Sequence, residues 1–142
     1  MEKVMRIAFA SSDGRAVNQH FGMAQRFYIW DVGPEHAREI GKVAPAKANM
    51  DHDDKLVSRA DAVDGCTIVY SVQIGGPAAA KLVGRHIQPL KARDNTPISD
   101  AISELQRVLQ GNPPAWLRKA AGLATPEMEY TDEPLALEAP TE

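Results

Sequence analysis

Cys66-Thr67-Ile68-Val69-Tyr70-Ser71-Val72, followed by Gln73-Ile74-Gly75-Gly76-Pro77, decides the fold class. An apolar run without polar alternation reads as a strand covered on both faces, the position strands hold in a parallel sheet. Pro77 suits the first residue of a helix, where its missing N–H costs no helical hydrogen bond, and Gly84 supplies a stop after Val83. A buried strand leading into a helix opens a crossover unit, and residues 87–91 form the strand to which it returns.

Upstream, Met5-Arg6-Ile7-Ala8-Phe9-Ala10 reads as a central strand and residues 26–32 as a second, apolar on both faces. After the turn Gly33-Pro34-Glu35-His36 comes a more polar strand, 37–46, which Pro45 marks as an edge. Residues 51–63 predict a helix with acids in its first turn and Leu56, Ala60 and Val63 along one face. Downstream, Thr96 is expected to cap the clearest helix, with Pro97 at its first position. Ile98, Ala101, Ile102, Leu105, Val108 and Leu109 form its apolar stripe, and Gly111 closes it.

The order β-β-β-α-β-α-β-α predicts an α/β fold: a five-stranded mixed sheet flanked by helices, with ribonuclease-H-like topology. The first strand and the Cys66 strand should lie side by side and parallel. The segments 11–22, 73–77 and 92–95 then share the carboxyl edge of the sheet, where open α/β sheets bind ligands.

At 142 residues and 44% hydrophobic content the chain suits one core rather than two ordinary domains. Residues 1–125 are expected to form a single cofactor-binding domain of net charge +3. Residues 126–142 hold six acids and no base, and are expected to be a disordered tail. One cysteine, Cys66, excludes an internal disulfide framework and any Cys-x-x-Cys metal knuckle. With neither a secretory apolar stretch nor a membrane-length run, the expected location is the cytoplasm, with a reduced thiol.

The first strand runs directly into Ser11-Ser12-Asp13-Gly14-Arg15-Ala16-Val17-Asn18-Gln19-His20-Phe21-Gly22. A polar, glycine-bearing loop at a strand end offers backbone N–H groups and one imidazole, a chemistry that suits an anion or a metal cluster. Taken in order, "SSDGRAVNQHFGMAQRFYIWDV", "DGCTIVYSVQIGGPAAAKLVGRHIQPLK", the amphipathic helix and "GNPPAWLRKA" resemble the nitrogenase iron-molybdenum cofactor biosynthesis family. That family includes NifX, NifY and the carboxyl-terminal part of NifB, and the resemblance is greatest to NifX. It covers about residues 5–120 and implies a non-catalytic carrier. The implied cargo is the iron-sulfur precursor made by a NifB-type cofactor synthase, passed on toward the cofactor scaffold proteins.

Such a precursor is anionic and soft, so a carrier needs few donors, some positive charge and oriented N–H groups; a full thiolate set would hold it permanently. His20 is the candidate metal ligand. Arg15, Arg26 and Arg93 are candidates for offsetting charge, and Gly75 and Gly76 for presenting N–H groups at a helix start. Each has a plainer reading: a histidine that hydrogen-bonds its own turn, surface arginines, glycines that only permit close strand-to-helix packing. Cys66 is the weaker metal candidate. It begins its strand whereas His20 lies past the end of the parallel neighbour, which separates them by roughly 20 Å at 3.3 Å per strand residue. His36, His52 and His86 are placed in turns or near element ends, without metal-pair spacing. Trp116 and Leu117 are expected to pack back on the body.

Two other functions compete. A nuclease of this topology needs several carboxylates converging on metal ions, and neither Met5–Ala10 nor the Cys66 strand carries one. An accessory chaperone that binds apo-nitrogenase subunits without holding the cluster remains the alternative.

Overall fold

The computed structural model describes residues 4–46 and 52–120, and the acidic segment 126–142 lies outside them. Five strands form one sheet: β1 Met5–Ala10, β3 Phe27–Val32, β4 Ala37–Val43, β5 Ile68–Ser71 and β6 Gln88–Lys91. Their order across the sheet is β4-β3-β1-β5-β6. β1 runs antiparallel to β3 and parallel to β5, and β5 runs parallel to β6. This is the expected mixed sheet. β4 occupies one edge, as its exposed, charged sequence requires, and its pairing with β3 shifts register between Ile29 and Trp30.

Period-two alternation along β1 divides the core in two. Met5, Ile7 and Phe9 face α3 (Ile98–Gln110) and α4 (Ala115–Ala120), while Ala8 and Ala10 face α1 (His52–Ala62) and α2 (Gly76–Gly84). All five are buried. On the α3 side Phe9 stacks on Tyr70 at 5.1 Å between centroids, because the parallel register sets these two residues beside each other. On the opposite side the small Ala8 and Ala10 leave room for Phe21 and Phe27, whose rings meet at 5.6 Å. α3 is held over the β3–β4 turn by Gln106, whose side-chain amide donates to the carbonyls of Gly33 and His36, both at 3.0 Å. Leu117 is buried with this core and Trp116 packs against it, as expected.

Three details differ from the sequence reading. A two-residue strand β2, Ala16–Val17, pairs antiparallel with β7, Thr96–Pro97, as a second small sheet. Thr96 is therefore a strand residue rather than a helix cap: its hydroxyl donates to the Arg93 carbonyl at 2.7 Å, and Pro97 takes the cap position before Ile98. Cys66 stands in the turn after α1, with its N–H donating to the Val63 carbonyl at 3.0 Å, and β5 begins only at Ile68.

Candidate functional site

Three connections meet at the carboxyl edge of the sheet and are sewn together by backbone hydrogen bonds. Phe21 N–H donates to the Gln73 carbonyl at 2.8 Å and Val72 N–H to that of Gln19 at 3.0 Å, which fixes the β1 loop to the end of β5. Asn95 N–H donates to the Val17 carbonyl at 2.8 Å and Ile98 N–H to that of Arg15 at 2.8 Å, which fixes the same loop to the segment after β6. The expected convergence of the three segments is therefore observed.

Inside the loop, polar side chains are spent on bracing. The Asp13 carboxylate accepts from the N–H groups of Arg15 and Ala16, and these bonds hold its pKa below the ordinary carboxylate value. The buried Ser11 hydroxyl donates to Asp13 and accepts from Gly14 N–H at 2.9 Å. Ser12 and Asn18 bond reciprocally, each contact 3.0 Å, and the Gln19 side-chain oxygen accepts from Gln25 N–H. Gly14 adopts φ +76°, and a Cβ there would sit 2.7 Å from the Tyr28 ring, so only glycine fits. The sequence shows polar atoms available to an anion; the structure commits most of them to the loop itself.

What remains outward is narrower. His20 is exposed at the start of a 3-10 turn, Phe21–Met23, and its side chain makes no capping bond to that turn. Phe21 and Ala24, both fully buried, anchor that turn on either side. Arg15 is exposed immediately before β2, Arg93 is exposed in the turn that leads into β7, and Arg26 is half-buried immediately before β3, whose Phe27 pairs with Ala10 at the end of β1. Gly75 precedes α2 in extended conformation with no side-chain cap, and Gly76 begins it. A Cβ on Gly76 would meet nothing within 4 Å and one on Gly75 only the Pro77 ring at 3.9 Å, so close packing does not account for this pair. The structure brings all six residues to one edge of the sheet.

Cys66 does not join them. Thr67 N–H donates to the Arg6 carbonyl at 2.7 Å, which sets the cysteine beside the beginning of β1 and at the opposite edge. Its thiol is buried, and burial pushes its pKa up to about 11, so it is a protonated, poor ligand at neutral pH. Among the described residues no three His, Cys, Asp or Glu side chains cluster as a metal-ion site, including the carboxylate set that metal-assisted hydrolysis needs. Met23 was not foreseen: its side chain is 70% exposed, three residues beyond His20, in a segment whose pattern alone gave no sign of it.

A family model described as dinitrogenase iron-molybdenum cofactor matches residues 3–108. The chain belongs to that family. It is 34% identical over 127 residues to Protein NifX of Rhodobacter capsulatus, covering 85% of this chain and 80% of that one. Identity to Protein NifX of Azotobacter vinelandii is 37% over 118 residues, 82% and 75% of the two chains. Among solved structures, the apo orange protein of Desulfovibrio gigas superposes with TM-score 0.57 at 16% identity, covering 77% of this chain and 92% of that one, a likeness of fold alone. Among the described residues of this family member, no helix is long and apolar enough to cross a membrane.

Proposed function

We propose that this chain is a non-catalytic carrier that binds an iron-sulfur precursor of the nitrogenase iron-molybdenum cofactor and hands it on during assembly. Its family membership ties it to biosynthesis of that cofactor. The observation that supports the carrier role most directly is His20: an imidazole without a capping partner, on a turn locked to the end of β5 through Phe21 and Gln73. A preformed backbone lets one neutral nitrogen donor meet an iron atom without ordering a loop on binding.

The rest of the edge supplies charge rather than further strong ligands. Arg15, Arg26 and Arg93 offset the negative cluster, and the first turn of α2 beyond Gly75 and Gly76 adds N–H groups and the positive end of a helix dipole. One nitrogen ligand with electrostatic support holds an anionic cluster and still releases it, which a four-thiolate site does not. The donor would be a NifB-type synthase and the acceptor the cofactor scaffold, with apo-nitrogenase as a further client. Residues 1–125 would form the binding domain, working in the cytoplasm, where the reduced thiol of Cys66 persists.

Titration of the colourless protein with precursor cluster under argon tests this reading. Binding at micromolar concentration, with iron-sulfur absorption retained after gel filtration, is the expected result. Failure to take up the cluster, together with capture of an apo-nitrogenase subunit, would establish the accessory-chaperone alternative in its place.

A further inference from the structure

We propose that Met23 is a second soft donor at this edge, its thioether lying beside the His20 imidazole and bonding an iron of the cluster that the carrier holds. The inference rests on the carrier reading and adds to it a ligand of a different kind.

Three observations carry it. Met23 N–H donates to the His20 carbonyl at 3.0 Å, so one backbone bond closes the 3-10 turn between the two residues, and both are exposed. The residues between and beyond them turn the other way: Phe21 and Ala24 are fully buried against Phe27 and the α1 side of the core. Met23 itself is 70% exposed, more than any other large hydrophobic side chain among the described residues. An exposed, flexible and polarizable thioether three residues from an imidazole without a capping bond gives this turn a second soft atom that a cluster held there can cover.

The chemistry is matched to transfer. A thioether is soft and neutral and bonds iron more weakly than a thiolate. As its sulfur lone pair bonds an iron, one labile terminal ligand of that iron leaves; no proton is released and no electron moves. The cluster is then gripped by one nitrogen and one weak sulfur, both on a turn fixed by Phe21, and either bond can yield to a thiolate of the receiving protein.

The test uses the full chain with methyl-13C methionine and the precursor cluster added under argon. Met23→Leu keeps the apolar bulk and removes only sulfur; Met23→Ala removes both. The expected result is that the Met23 methyl resonance of the unsubstituted protein shifts or broadens on cluster addition. Both variants should then bind about threefold to tenfold more weakly, with faster release and unchanged thermal unfolding. If Met23→Leu binds as tightly as the unsubstituted protein while Met23→Ala is weaker, the side chain makes only apolar contact and sulfur ligation is overturned. Binding by both variants as tight as that of the unsubstituted protein, with an unmoved methyl resonance, overturns any role for Met23. Absence of cluster binding by the unsubstituted protein overturns the carrier reading itself, and the inference with it.

Discussion

Phe21 and Gln73 are joined backbone to backbone at 2.8 Å, although one follows β1 and the other follows β5. The bond makes two loops from different parts of the chain one rigid edge, with the Phe21 ring sunk beside Phe27 and His20 left outside as its neighbour. Placement of the candidate ligand thus depends on the core, not on the loop's own polar residues.

Gly14→Ala should destabilise the protein. The new methyl group would meet the Tyr28 ring at a separation no side chain tolerates, in a backbone conformation with φ +76°. Strain and displaced packing together are worth about 1–3 kcal/mol. Denaturant unfolding should show the loss, and amide exchange should speed up at Arg15 and Ala16, whose N–H groups Asp13 holds.

Gly76→Ala separates packing from ligand approach. Nothing lies within 4 Å of a Cβ at this helical position, so alanine should leave stability unchanged or raise it by up to about 1 kcal/mol. If the cluster lies against the start of α2, the same substitution lowers cluster affinity. Unfolding curves and anaerobic titrations on one preparation measure both.

Cys66 sets an alkaline limit on stability. Burial raises its pKa from 9.0 to about 11, so the unfolded chain gives up this proton first. The contribution is therefore complete below about pH 9 and is lost as pH rises toward 11, at no more than about 1.4 kcal/mol per pH unit. Tyr70, raised from 10.0 to about 12 by burial, adds a loss of the same sign at higher pH. Cys66→Ala should flatten the first part of that decline in denaturant midpoints measured from pH 8 to 11, and the native thiol should resist alkylation at pH 7.

Strand order and the carboxyl edge were legible because they rest on strong signals: the apolar stretches Ile7–Ala10 of β1 and Ile68–Tyr70 of β5, the Gly-Pro helix start and the stripe of α3. The β2–β7 ladder was not, since two-residue strands have no periodicity and Thr96-Pro97 reads locally as a helix cap. At the site, sequence marked His20, the arginines and the glycine pair. It could not show that Asp13, Ser11, Asn18 and Gln19 satisfy one another, because that depends on how the loop closes. Nor could it show Met23 exposed, because a methionine beside Phe21 and Ala24 has the composition of core.

The most direct measurement is cluster affinity for His20→Ala and Cys66→Ser, each with its unfolding free energy. The account predicts that His20→Ala loses affinity while stability changes by no more than about 1 kcal/mol, since the imidazole is exposed. It predicts that Cys66→Ser, which puts a hydroxyl in an apolar pocket, loses about 1–3 kcal/mol of stability and binds the cluster normally. A folded Cys66→Ser protein that binds no cluster, alongside a His20→Ala protein that binds it fully, would place the site at the opposite edge of the sheet and contradict the account.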